Sequence, residues 1–248
     1  MEQPKIFRYD TVDSTNTVCK SLAAQGAPSG TAVIARRQTA GRGRMGRSFE
    51  SPEGLGLYLS VLWRPEGTPE DLLPLTPMAA VSAAGAIRRV TGAPVRIKWP
   101  NDLLLNGKKI VGILCEGMPD HHAIVCGIGI NLAQPQSYFD AMELPHGTSL
   151  ALQGIAVDPA ADAAALAESM TNFGFDRALY GFEREGFSAI RDAYKARCVN
   201  LGRHVTFDGG EGTAVDVDEE GRLVVQGAEG STHVFTGEVS VHGIYGAV

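Results

Sequence analysis

The chain has 248 residues, 44% of them hydrophobic and 20% charged, which suffices to bury a core without disulfide or metal staples. Its 22 Lys and Arg against 28 Asp and Glu give a formal charge of −6, which argues against nonspecific attraction to DNA or to an anionic membrane. Cys19, Cys115, Cys126 and Cys198 show neither CxxC spacing nor a neighbouring His cluster, so they read as reduced core thiols rather than metal ligands. No apolar targeting segment opens the sequence and no stretch is long enough to span a bilayer, so the expectation is a cytoplasmic protein with no membrane partner.

Ile6-Phe7-Arg8-Tyr9 reads as a short strand. The polar run Asp13-Ser14-Thr15-Asn16 leads into Val18, Cys19, Leu22 and Ala23 at helical spacing, with Gly26 as the stop. Ser14 or Asp13 can cap that helix; alternatively, Ser14, Thr15 and Asn16 present hydroxyl and amide groups to a polar ligand head. Thr31-Ala32-Val33-Ile34-Ala35 is an apolar strand that delivers the chain into Gln38-Thr39-Ala40-Gly41-Arg42-Gly43-Arg44-Met45-Gly46-Arg47.

That stretch concentrates cations in an acidic protein. Arg36, Arg37, Arg42, Arg44 and Arg47 fall together, and Gly41, Gly43 and Gly46 alternate with the last three. Glycine lets backbone amides approach a ligand closely, and guanidinium groups offer paired donors to carboxylate and phosphate oxygens. The run describes a mobile loop that wraps an anion; a solvated basic turn or a short nucleic-acid patch would share the same composition.

Leu55 to Trp63 is a strand apolar at nearly every position, which implies cover on both faces and puts the arginine loop at a sheet edge, over its face or end. Thr76-Pro77-Met78 opens a helix that Gly92 ends. Val95-Arg96-Ile97-Lys98-Trp99 is a strand, and Asn106-Gly107 between apolar runs signals a hairpin with Lys109 at the start of its second arm. Ala123 to Leu132 is another strand, with Gly127 and Gly129 where a side chain would block a ligand. A helical region begins at Gly147-Thr148-Ser149-Leu150, and Pro159 to Leu179 and Phe182 to Ala196 read as helices. Beyond them, five short strands at close spacing (Val205–Phe207, Gly212–Val217, Gly221–Val225, His233–Phe235 and Val239–Val241) read as a small barrel. The boundary falls near Arg197, giving domains 1–197 and 198–248.

Five motifs stand in one order: Asp13-Ser14-Thr15-Asn16, the arginine loop, Lys98-Trp99-Pro100-Asn101-Asp102, Lys109 before Gly112-Ile113-Leu114-Cys115-Glu116, and Gly127-Ile128-Gly129-Ile130-Asn131. In this they resemble the biotin protein ligases (biotin–[acetyl-CoA-carboxylase] ligases), closely from Tyr9 to Leu132 and more loosely beyond. The resemblance implies an α+β fold with a mixed, largely antiparallel sheet and flanking helices, like class II aminoacyl-tRNA synthetases, plus a C-terminal SH3-like barrel. It implies biotin, ATP and Mg²⁺ as substrates and cofactor. The biotin carboxylate attacks the α-phosphorus of MgATP, and the resulting biotinyl-adenylate acylates a lysine of an apo biotin carboxyl carrier protein.

Carried over by position, Ser14, Thr15, Asn16 and Gln38 resemble contacts to the biotin head, and Arg42, Gly43 and Arg44 resemble a loop closing over carboxylate and phosphate. Lys109 resembles a lysine shared between the two anions. Trp99 and Asn131 resemble nucleotide contacts, Asn101 and Asp102 line the phosphate and acceptor region, and Gly112 and Gly129 join them as binding positions. Lys109, Arg42, Arg44 and Asp102 form the catalytic set, with Asp102 as a base for the acceptor lysine. Apart from the resemblance, Lys109 reads equally as a solvated hairpin lysine, Trp99 as a core aromatic and Asp102 as a turn cap. Met45 and His242 stand where such ligases often carry arginine, and the motifs begin too near the first residue for a DNA-binding domain to precede them. Members often pair through sheet edges, so the resemblance allows a homodimer, while nothing in the sequence itself fixes the oligomeric state. A lipoate ligase of the related fold, or a non-catalytic module binding biotin or nucleotide, are the competing readings.

Overall fold

The computed structural model describes residues 5–65, 75–174, 184–235 and 237–245. Seven strands form one sheet: β1 (Ile6–Val12), β2 (Ala32–Gln38), β3 (Gly56–Trp63), β4 (Arg96–Lys98), β5 (Asp102–Leu105), β6 (Lys108–Met118) and β7 (Ala123–Asn131). Their order is β1-β2-β3-β7-β6-β5-β4, with β1 and β2 parallel and every other neighbour antiparallel. The sheet is therefore mixed and largely antiparallel. Because β1 takes the edge beyond β2, the arginine loop leaves from the end of interior strands rather than from the sheet edge.

All eight residues of β3 are buried, as its unbroken apolar run requires. Leu57, Leu59, Val61 and Trp63 enter the main core with helix α2 (Leu75–Thr91), while Leu62 joins Val33, Val125 and helix α1 (Thr15–Ala24) on the opposite face. Each such aliphatic side chain contributes about 1.5–3 kcal/mol on burial. Asn106 and Gly107, at φ 49° and 78°, make the expected tight hairpin between β5 and β6.

Three expectations change. The segment from Gly147 to Leu150 is not helical: Gly147 bridges Lys109 in parallel, and Thr148 N–H donates to Lys109 C=O over 2.9 Å. The backbone of Lys109 in β6 takes up the hydrogen-bonding groups of this segment and holds it extended. A short helix not foreseen, α3 (Gln136–Ala141), precedes it. Helix α4 (Pro159–Glu168), capped by Asp158 on the N–H groups of Ala160 and Ala161, runs into a π-helical turn over Ser169–Gly174. The expected helix from Phe182 is observed as α5 (Ser188–Lys195), and residues 175–183 lie outside the described residues.

The C-terminal strands are β8 (His204–Phe207), β9 (Gly210–Val217), β10 (Leu223–Gly227), β11 (Gly230–Val234) and β12 (Val239–Val241). They form an antiparallel sheet in the order β11-β10-β9-β8-β12. Buried Val205, Ala214, Val217, Leu223, Val225, Val239 and Val241 continue the main core without a break. Among the described residues no helix is long and apolar enough to cross a membrane.

Candidate active site

On antiparallel strands, directly opposed residues share a face. Tyr58 of β3 opposes Gly129 of β7, which opposes Gly112 of β6; one step on, Ser60 opposes Gly127, which opposes Leu114. This face is the one α1 covers. The glycines strip side chains from the sheet centre and leave a cavity of about 480 Å³. Ser14, Thr15, Asn16, Gln38, Arg42, Gly43, Arg44, Trp99, Asn101, Asp102, Lys109, Gly112, Gly129 and Asn131 all line it, so every site residue expected from the sequence meets at one place.

The inner end is a polar slot. Ser14 begins α1 without a side-chain capping bond, so its hydroxyl is not spent as a helix cap. Thr15 donates both its N–H (2.8 Å) and its hydroxyl (3.0 Å) to Gln38 Oε1, and Gln38 Nε2 donates to Ser51 Oγ over 2.7 Å. Asn16 Nδ2 donates to Glu116 Oε2 over 2.7 Å, and Lys20 Nζ pairs with Glu116 Oε1 at 2.5 Å. Burial alone would raise the Glu116 carboxyl, but hydrogen bonds from Lys20 and Asn16 together outweigh it and hold the group below the ordinary carboxylate value. Gly127 makes room for the Asn16 amide: a Cβ there would lie inside contact distance of Asn16 Oδ1 and force it to shift.

The charged end depends on a slip in β6. Gly112 and Leu114 line the cavity and Glu116 leaves β6 on the same face, so strict alternation would send Lys109 to the other side. The β5–β6 pairing shifts by one residue between Leu103 and Leu104, a β-bulge, and Lys109 lies beside Gly112 on the cavity wall. Lys109 Nζ is 2.7 Å from Asp102 Oδ1, and Tyr245 donates its hydroxyl to Asp102 Oδ2 over 3.3 Å. Burial and the neighbouring Asp102 push the Tyr245 phenol upward, so it remains a donor. The Tyr245 ring stacks on His146 at 5.0 Å and has Lys98 Nζ 4.9 Å from its centre. Burial lowers the Lys98 ammonium; Asp102 opposes that shift, while Lys109 and Arg44 add to it.

The arginine loop folds over this end. Arg44 Nη1 donates to Asn101 Oδ1 at 2.8 Å and Nη2 to Gly237 C=O at 3.1 Å, while Arg47 pairs with Glu238. The C-terminal sheet thus holds the loop from above. Arg42 is exposed at the cavity mouth. Met45, at φ 55° and 73% exposed, stands at the loop tip and points to solvent, so the position contributes no cation to the cavity.

Two positions differ from the simplest expectation. Trp99 is 1% exposed and donates its indole N–H to Gly221 C=O at 3.0 Å, so it pins the two sheets together and reaches the cavity only as wall. Asn131 donates to Thr148 C=O and accepts from Gln134, which commits its amide to the wall as well. His242 lies on the exterior against His204, and the C-terminal contribution to the cavity comes from Gly237 to Ser240 and Tyr245.

Four residues of the site were missed in the sequence. Phe49 covers Gly129 and Gly112, where any Cβ on Gly129 would strike its ring. Ser60, fully buried, lies 2.7 Å from Thr15 Oγ1 and 2.6 Å from Asn16 Oδ1. A lone hydroxyl in an apolar, doubly covered strand was the available signal for Ser60. Phe49, Tyr245 and His146 carried none, since their placement depends on loop paths.

Residues 9–131 match the Biotin/lipoate A/B protein ligase family, and residues 201–241 match the Biotin protein ligase C terminal domain. A biotin–[acetyl-CoA-carboxylase] ligase of Paracoccus denitrificans is 35% identical over 241 residues, covering 92% of this chain and 96% of that protein. The bifunctional ligase/repressor BirA of Bacillus subtilis is 32% identical over 243 residues, covering 95% of this chain and 74% of that protein. The structure of a biotin protein ligase from Aquifex aeolicus in complex with biotin and ATP superposes with a TM-score of 0.75 at 29% identity, covering 96% of this chain and 98% of that one. With relatives this similar along nearly its whole length, the chain belongs to the biotin protein ligase family.

Proposed function

We propose that the protein joins biotin to ATP as biotinyl-5′-AMP and passes the biotinyl group to a lysine of an apo biotin carboxyl carrier protein, in the cytoplasm. The observation that carries this reading is the cavity's division into a neutral slot and a cationic end. Biotin's ureido ring is neutral, with donors and acceptors on one rim, and Ser14, Thr15, Asn16 and Gln38 offer matching groups without net charge. Its carboxylate and the nucleotide phosphates are both anions, and they reach attack distance only where fixed cations offset their repulsion. Lys109 and Arg44 stand at that end, half-buried, where water screens them least.

In this reading Lys109 leaves Asp102 to bridge the biotin carboxylate and the α-phosphate, and Asp102, so released, accepts a proton from the acceptor lysine. Arg44 holds the α-phosphate under the loop. Asp102 would offer a hard carboxylate oxygen to Mg²⁺, which takes one or two such ligands along with substrate phosphates and would supply further positive charge. The division at Arg197 between a catalytic unit and a C-terminal sheet that clamps the loop belongs to the same proposal, as does pairing of two copies through a sheet edge.

Incubation with labelled biotin, MgATP and an apo carrier domain tests the reading. The expected result is label on one carrier lysine, dependent on ATP. Absence of label with a carrier that a known ligase does modify would overturn it.

A further inference from the structure

Cys115 of β6 and Cys126 of β7 are directly opposed partners in the antiparallel ladder, so their side chains leave the sheet on the same face. That face is the one turned to α2, behind the polar slot. Opposed residues on such strands have Cα atoms about 4.5–5.5 Å apart, within the span a disulfide bridges. Both thiols are free. Cys126 is fully buried, whereas Cys115 is half-buried and lines a second cavity of about 400 Å³ with Thr76, Pro77, Met118 and His122. One thiol is therefore reachable and the other waits behind it.

We propose that Cys115 and Cys126 form a reversible dithiol–disulfide modification site, oxidised through the second cavity by a small-molecule disulfide. The Cys115 thiolate attacks one sulfur of the oxidant, forming a mixed disulfide and expelling one thiolate. Cys126 then loses its proton and attacks the Cys115 sulfur, closing the protein disulfide and expelling the second thiolate. Two electrons pass from the protein to the oxidant's S–S bond, and the two released thiolates take up the two protons. The order of attack follows from the environment. The hydrogen bond from Cys126, aided by Thr76, holds the Cys115 thiol below its ordinary value against the opposing effect of burial, while burial pushes Cys126 up. Leu114 and Glu116 flank Cys115, Gly127 flanks Cys126, and all three pack on Asn16. The new bond would staple the two strands that hold the slot.

The test uses the full chain and oxidised glutathione, followed by acid quenching, alkylation under denaturing conditions and peptide mass mapping. The expected product carries two alkylated cysteines, Cys19 and Cys198, and a Cys115–Cys126 cross-linked peptide about 2 Da lighter than the sum of its parts, reversed by dithiothreitol. In Cys126→Ser the same treatment should stop at one glutathione on Cys115. Four alkylated cysteines in the wild type, or a cross-link that includes Cys19 or Cys198, would overturn the proposal.

Discussion

Lys109 is the residue on which the proposed chemistry turns, and its position is not what alternation along β6 would give. The bulge brings it to the cavity side and Asp102 holds it there. Lys109→Met keeps most of the stem and removes the charge, so adenylate formation should fall by about 10²–10³-fold, the usual consequence of deleting one group aimed at developing charge. Glu116 makes a separate prediction at this scale. Its folded pKa is depressed, so it adds stability above the unfolded value of 4.5, and that stability is lost as pH falls through the lower folded value. Glu116→Gln should therefore lower the melting temperature at pH 7, and the gap to wild type should narrow as pH drops below about 4.5. A gap unchanged down to pH 3 would mean that the carboxylate is not what ties α1 to β6.

Among the elements, the glycine-cleared sheet face and the arginine loop depend on one another. Gly112, Gly127 and Gly129 open the floor, and Phe49 and Arg44 from the loop close the roof. Gly127→Ala places a methyl group against Asn16, so biotin affinity should fall at least about tenfold, roughly the cost of one displaced hydrogen-bonding group, while circular dichroism stays unchanged. Calorimetric titration reads the first and would contradict the account if affinity held. Arg44→Gly removes the tie from loop to Asn101 and Gly237, and the adenylate should escape to label surface lysines at random. Retention equal to wild type would show that the loop is no lid. The strands and the cavity lining were legible because apolar runs, glycines and the Asn-Gly hairpin are local signals. The 147–150 segment was misread as helix because what holds it extended is the backbone of Lys109, some forty residues away, and the bulge that re-aims Lys109 leaves no mark in the spacing.

Across the whole molecule, the C-terminal sheet is part of the site rather than an appendage. Trp99 reaches into it through Gly221, Arg44 through Gly237, and Tyr245 comes back to Asp102. Trp99→Phe deletes the indole bond and leaves a small void, and should cost about 1–3 kcal/mol in urea unfolding by stranding the Gly221 carbonyl. The sequence announced this unit by the close spacing of its strands. It could not announce Trp99's role as a pin, because a buried tryptophan reads the same whether it meets a nucleotide or a neighbouring sheet.

The central claim is that a fixed ammonium and a closing guanidinium bring two anions into reaction distance. Biotin-dependent exchange of pyrophosphate into ATP measures that step directly, before any carrier is involved. The account predicts exchange by the wild type and its loss, with biotin still bound, in Lys109→Met; equal exchange in the two proteins would contradict it.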